Sequence, residues 1–230
     1  MVDLRALEQI LGVTFRNEGI LTEALTQRSY LNENPTWPTP HNERLEFLGD
    51  AVLELVITEY LYKEFPDKPE GDLTSIREAL VNANILGDIA SDIGVNNFLY
   101  LSRGEARDVG RARQTILANA FESIVGAIYL DGGYDAAKGF ILRVLAPQTK
   151  EILEKRLYRD AKSLFQEEAQ ERMGVTPTYE VTKEWGPDHD KHFVVGAYLK
   201  EELISEGEGS SKQSAQQQAA EAALKAKNWG

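Results

Sequence analysis

Cysteine is absent from the 230 residues, which excludes disulfides, thiolate nucleophiles and cysteine–zinc centres. Histidine is scarce: only His41, His189 and His192 occur, too scattered for a local histidine metal motif. No uninterrupted apolar run approaches the roughly 20 residues that cross a bilayer. The opening Met-Val-Asp-Leu-Arg-Ala-Leu-Glu carries charge every two or three residues and lacks the apolar core of a secretory signal. A cytoplasmic protein with no membrane partner is the expectation. Positive charge is also short. The net charge is −12, with 17 basic against 24 acidic side chains in residues 1–159 and 8 against 13 in residues 160–230. Neither part can bind nucleic acid by bulk charge, so any such contact must come from local clusters or metal ions. Apolar content of 42% and charged content of 27% fit a globular chain of one or two domains with a substantial core.

The stretch with most information is Asn42 to Leu53, Asn-Glu-Arg-Leu-Glu-Phe-Leu-Gly-Asp-Ala-Val-Leu. Leu45, Phe47, Leu48, Ala51, Val52 and Leu55 recur at helical spacing and predict one apolar stripe on a helix running to about Phe65. Glu43, Glu46 and Asp50 lie three and four residues apart, so their carboxylates stack on one side of that helix. Stacked acids repel one another, and a hard divalent cation relieves the repulsion well. An ordinary solvated acidic face is the alternative from spacing alone.

Upstream, apolar spacing predicts helices over Leu4 to Leu11 and Ile20 to Tyr30, and Pro35, Pro38 and Pro40 forbid helix across 34–40. Trp37 inside that loop is expected to pack down. Downstream, Glu70 to about Leu86 reads as a helix with Asp72 as N-cap and Leu73, Ile76, Leu80 and Val81 as its apolar face. Residues 102–113 are glycine-spaced and locally basic, with Arg103, Arg107, Arg111 and Arg113; they read either as a surface loop or as a phosphate-contacting one. A second acidic helix begins at Ile116, with Leu117, Phe121, Ile124, Val125 and Ile128 buried and Asn119 and Glu122 sharing a face. After a charged helix tail the pattern changes at Asp160. A helix over Ala161 to Met173 precedes strands over Thr178 to Trp185 and His192 to Lys200, then a short strand at Leu203 and Ile204. An alanine-rich helix over Ser214 to Lys227, with Ala215, Ala219, Ala222 and Ala226 on one side, closes the chain.

The Asn42 to Leu53 run resembles, almost letter for letter, the signature of ribonuclease III, and the stretch from Ile116 to Gly133 resembles that family closely too. The α-β-β-β-α order, with Gly207-Glu-Gly-Ser-Ser-Lys before the last helix, resembles the double-stranded RNA-binding domain. The resemblance runs from about Leu7 to Leu224. It implies an all-α endonuclease domain over 1–156, a linker at 157–159 and a small α+β domain over 160–228. It further implies Mg2+-dependent hydrolysis of double-stranded RNA, with Mn2+ as a substitute, leaving 5′-phosphate and 3′-hydroxyl ends, in processing of ribosomal and other structured RNAs. A homodimer would do this, each subunit cutting one strand. Carried over residue by residue, Glu46, Asp50, Asn119 and Glu122 form the metal shell, with Asp50 and Glu122 catalytic. Glu43 and Glu70 are accessory acids, and Phe47 lies at the dimer contact. Gln166, Glu167, His189, Ser211 and Lys212 meet RNA. Three positions depart from the family pattern: Gln27 stands where a histidine is usual, Asn119 where an aspartate is, and Gln213 where a lysine is. An amide oxygen can coordinate Mg2+ but lacks charge and cannot act as a base, so a catalytically impaired double-stranded RNA binder is the alternative.

Overall fold

The computed structural model describes residues 2–154, 158, 160–187 and 191–229. The chain divides into two compact units, Met1–Tyr158 and Arg159–Gly230. The first is all-α and the second is a small α+β unit.

The first unit opens with α1 (Leu4–Leu11), α2 (Glu18–Leu25) and α3 (Arg28–Glu33). The apolar spacing predicts one helix over 20–30, but the structure breaks it at Thr26, whose backbone is extended (φ −94°, ψ 109°). Long-range backbone bonds hold the break. Tyr100 N donates to Leu25 O (2.9 Å), Gln27 N to Tyr100 O (3.0 Å) and Asn42 N to Thr26 O (2.9 Å). Trp37 packs down here, 4.6 Å from the Tyr100 ring centre and 5.1 Å from that of Tyr30, and its indole N–H donates to Thr26 Oγ1 at 3.2 Å.

The long helix α4 (Glu43–Glu64) follows, then α5 (Glu70–Leu80) and α6 (Ala83–Asp92). One helix to Leu86 is therefore corrected to two. Asn82 stops the first and caps the second, its side-chain oxygen accepting from Asn84 N (3.0 Å) and Ile85 N (3.1 Å). Asp72 is not the N-cap of α5; Pro69 precedes that helix, and Asp72 sits in the first turn, 3.6 Å from Lys68 Nζ. The last long helix, α7 (Arg111–Glu154), is interrupted at Gly133, whose φ of 82° and ψ of −176° are not helical.

The core is built where α4 crosses α7. Leu45, Val52, Leu53, Val56 and Ile57 of α4 and Leu117, Phe121, Ile124, Val125 and Ile128 of α7 are all buried, each large side chain contributing roughly 1.5–3 kcal/mol of transfer free energy. Gly49 and Gly126 meet at the crossing. A Cβ on Gly49 would overlap the Glu122 carbonyl oxygen and lie 2.9 Å from Gly126 N; a Cβ on Gly126 would overlap Leu45 O and lie 3.2 Å from Gly49 N. The helices thus touch backbone to backbone. Their close approach also splits the apolar stripe predicted on α4. Leu45 and Val52 face the core, whereas Phe47 (81% exposed), Ala51, Leu55 (57%) and, further on, Tyr62 (73%) face outward.

In the second unit, α8 (Ala161–Met173) and α9 (Lys212–Lys227) pack on a three-stranded antiparallel sheet, β1 (Thr178–Trp185), β2 (His192–Leu199) and β3 (Glu202–Gly209), in the order β1-β2-β3. Phe193, Val195, Ala197 and Leu199 alternate inward as their period predicts. The third strand is longer than Leu203 and Ile204, because β2 pairs with it from Glu202 to Gly209. A Cβ on Gly207 would lie 2.6 Å from Ala215 O, so strand and helix approach too closely for larger side chains. The buried face of α9 is Ala215, Ala219, Ala220, Ala223 and Leu224 rather than the predicted 215/219/222/226 row.

Two alanine substitutions test the crossing. Gly49→Ala should destabilise the first unit by about 3 kcal/mol or more in urea unfolding, because neither backbone can yield. Gly71→Ala, where nothing lies within 4 Å, should be neutral or slightly stabilising. Equal effects from the two would contradict the close approach.

Candidate active site

The crossing of α4 and α7 places Glu46 and Asp50 of one helix beside Asn119 and Glu122 of the other. Gly49 lies between the two acids of α4, and Gly126 one turn beyond Glu122, so the contact that fixes the helices also fixes the acids. Ser123, fully buried, donates its hydroxyl to Asn119 O at 2.7 Å and lies 3.4 Å from Asn42 O, joining this turn of α7 to the start of α4.

The four side chains share one electrostatic field. Burial raises the Glu46 carboxyl above its ordinary value, and the charges of Glu43 and Asp50 raise it further, while a hydrogen bond from Asn119 opposes them. Burial, with the charges of Asp50 and Glu46, pushes Glu122 up to about 7. A half-buried carboxyl that titrates near neutrality is suited to proton exchange and to cation binding. Among the described residues, no three acid, histidine or cysteine side chains converge closely enough to grip a metal ion as they stand. The donor types nevertheless suit one: every group offers a hard oxygen, and the charges of Asp50 and Glu46, which add to burial in raising Glu122, are ones a cation offsets.

The accessory acids are placed differently from each other. Glu43 contributes to the field at Glu46 and is held by Arg28 (3.4 Å) and His41 (3.7 Å). Glu70, in the first turn of α5, accepts from Thr74 Oγ1 at 3.1 Å and is not among the charges acting on Glu46 or Glu122. Phe47 projects from α4 into solvent. In the basic segment, Arg113 is structural, donating to Glu105 O (2.8 Å) and Asp108 O (3.3 Å). The segment is further tied down by the Ser29–Glu105 hydrogen bond and by Arg103 N on the Glu33 carboxylate (3.2 Å). Arg103, Arg107 and Arg111 remain exposed.

In the second unit Gln166 and Glu167 are exposed on α8 and line an open groove with Ser163 and Gln170. Ser211 is the N-cap of α9, its hydroxyl oxygen accepting from Ser214 N at 3.1 Å, and exposed Lys212 extends its Nζ to 5.8 Å from the Phe193 ring centre. His189 lies outside the described residues.

Sequence comparison gives two matches in chain order: the Ribonuclease-III-like family over residues 17–149 and the double-stranded RNA binding motif over 161–227. The chain is 45% identical to ribonuclease 3 of Pelotomaculum thermopropionicum, covering 96% of this chain and 92% of that protein. It is 44% identical to ribonuclease 3 of Borreliella burgdorferi, covering 94% and 88% respectively. A structure of the nuclease domain of Campylobacter jejuni ribonuclease III, described as showing flexibility in the region involved in dimer formation, superposes with a TM-score of 0.57 at 39% identity. It covers 63% of this chain and 97% of that one.

The Glu122 carboxyl has a measurable consequence for stability. Its folded value of about 7 lies above the ordinary 4.5, so between those values the folded state holds more protons than the unfolded one, and stability falls as pH rises through that window. In EDTA, Glu122→Gln should therefore stabilise the protein at pH 8 by about 1 kcal/mol after allowance for solvent screening, and change little at pH 4. Urea unfolding at the two pH values checks this; a loss of stability at pH 8 would contradict it.

Proposed function

The chain belongs to the ribonuclease III family, and from that footing we propose that this endoribonuclease hydrolyses double-stranded RNA with Mg2+, or Mn2+ in its place. The observation that carries the reading is the acidic crossing of α4 and α7 on the same chain as a double-stranded RNA binding motif. Glu46, Asp50, Asn119 and Glu122 would hold the divalent cation, which when bound supplies an activated water and neutralises phosphate charge. The protein's own part is to keep these four side chains on two helices locked backbone to backbone, so that the acids cannot spread apart. Asp50 and Glu122 are the catalytic pair. Glu122, titrating near neutrality, can pass a proton to or from the attacking water or the leaving 3′ oxygen. Glu43 adds its charge to the field at Glu46, and Glu70 is an accessory acid. The products carry 5′-phosphate and 3′-hydroxyl ends, and the substrates are ribosomal and other structured RNAs in the cytoplasm.

A duplex has two strands, and a homodimer supplies one site for each. The surface for it is the outward row of α4, where Phe47, Leu55 and Tyr62 are exposed; leaving such a row in water is costly, and burying it against a second copy recovers the apolar transfer. Exposed Arg103, Arg107 and Arg111 are placed to meet phosphates. In the second unit, Gln166, Glu167 and His189 would reach sugar hydroxyls across the minor grooves of A-form RNA. Lys212 and Ser211, at the N-terminus of α9, would meet the intervening phosphates.

Digestion of a long RNA duplex with Mg2+ tests the assignment. This chain should cut, and Glu122→Gln should lose at least about a hundredfold in rate, of the order seen when a general acid or base is removed. If only Asn119→Asp cuts, the chain is a double-stranded RNA binder with a disabled nuclease site. Phe47→Asp should shift the protein from dimer to monomer in analytical ultracentrifugation, and an unchanged dimer would move the interface elsewhere. Lys212→Ala should weaken duplex binding uniformly across sequences and lower the salt slope by about one ion; an unaltered slope would remove Lys212 from the phosphate contacts.

A further inference from the structure

One face of the second unit takes no part in its core or in the proposed RNA contacts. Phe193, Val195, Ala197 and Leu199 turn inward to the helices, so His192, Val194, Gly196 and Tyr198 turn outward. Residues paired directly across strands share a face. On β1, Trp185 stands opposite His192, Lys183 opposite Val194 and Glu180 opposite Gly196. On β3, Glu208 stands opposite Val194, Glu206 opposite Gly196 and Leu203 opposite Tyr198. Apolar surface is left in water here, with Trp185 and Leu203 each 46% exposed. A Cβ on Gly196 would lie 2.8 Å from both the Tyr198 ring and the Leu203 side chain, so these two lean over the glycine and lie flat on the sheet. At the other end the Trp185 and His192 rings stack, 5.5 Å between centres and 13° between planes.

Carboxylates stand beside both aromatic ends. Glu206 reaches from β3 across β2 and accepts from Thr182 Oγ1 of β1 at 2.9 Å, which lays its carboxylate over the middle strand. Glu208 comes within 3.8 Å of His192 Nδ1. On this face Glu180, Glu206 and Glu208 stand against Lys183 alone, a net charge of −2 with histidine neutral. Phosphates would be repelled, and a second copy would bring the same acids against one another. A guanidinium fits, because it can lie on an aromatic ring and pair with a neighbouring carboxylate at once. We propose that the outer face of the sheet docks a basic, arginine-bearing segment of a partner protein. Trp185 and Tyr198 supply the stacking surfaces and Glu206 and Glu208 the charge. Apolar surface rimmed by polar side chains is the usual form of a protein-binding patch, and its place on the side of the sheet away from α8 and α9 leaves the proposed RNA contacts free.

The experiment titrates the full, isotope-labelled chain with a synthetic arginine–glycine repeat peptide and with its lysine and glutamate counterparts, following amide shifts by NMR. The arginine peptide should move the amides of Trp185, Gly196, Tyr198 and Leu203. The lysine peptide should bind several-fold more weakly, because it lacks the planar guanidinium, and the glutamate peptide should not bind. Glu206→Lys should weaken arginine-peptide binding roughly tenfold, and Trp185→Ala by a similar factor. Binding of an RNA duplex, measured without peptide, should stay as in the unaltered chain. Shifts confined to another acidic surface, or affinities unchanged in both variants, would overturn the proposal. Concentration-dependent shifts of these amides with no peptide present would assign the face to a second copy, and shifts there on adding RNA would assign it to nucleic acid; either overturns it. If Trp185→Ala does not fold, Glu206→Lys, a change at an exposed side chain, decides the matter alone.

Discussion

The contact between Gly49 and Gly126 is the constraint on which the rest of the nuclease unit depends. Helices pack with axes commonly 8–10 Å apart, a distance set by the side chains between them. Here a Cβ on either glycine would overlap the opposing backbone, so no side chain separates the helices. The crossing therefore has one geometry. Glycine in a helix interior costs about 1 kcal/mol relative to alanine, and two such residues are tolerated because the surrounding leucines, isoleucines, valines and phenylalanines are buried around them. The short separation has a chemical result. Glu46 and Asp50 on one helix come close enough to Glu122 on the other for their charges to act on it.

This makes the site a place where stability and function oppose each other. Burial and mutual repulsion lift Glu46 and Glu122, which is unfavourable for the fold and favourable for a cation. The contrast with Glu59 is instructive. That carboxyl, on the same helix, is held down at about 2 by hydrogen bonds from Lys63, Tyr134 and Lys138. Its charge is satisfied by the protein itself, and it fastens the far part of α7 to α4. The same residue type on one helix thus serves as a structural anchor where donors surround it, and as a candidate ligand where acids do.

Much of this was legible in the sequence, for stated physical reasons. The alternation in His192 to Leu199 and the helical spacing of Leu117 to Ile128 report burial directly, because periodicity follows from which face meets the core. The acids at 43, 46 and 50 could be placed on one side of a helix by spacing. What escaped the reading depends on distant partners. The break at Thr26 needs Tyr100 and Asn42, neither of which is near in sequence. The outward position of Phe47 and Leu55 could not be separated from the core stripe by hydropathy, since an exposed apolar row reads the same in sequence as a buried one. The meeting of Gly49 with Gly126 had a signal, one glycine inside each apolar helix, but nothing local pairs them.

The chemistry of the RNA ends tests the central claim most directly, because it reports which nucleophile attacked. Mass spectrometry of fragments from a long duplex digested with Mg2+ is the measurement. Attack by water at a site formed by Asp50 and Glu122 would leave 5′-phosphate and 3′-hydroxyl termini, and that is the predicted result. Fragments ending in 2′,3′-cyclic phosphate with 5′-hydroxyl partners would mean attack by the neighbouring ribose hydroxyl. They would contradict an active site built from the crossing of two acidic helices.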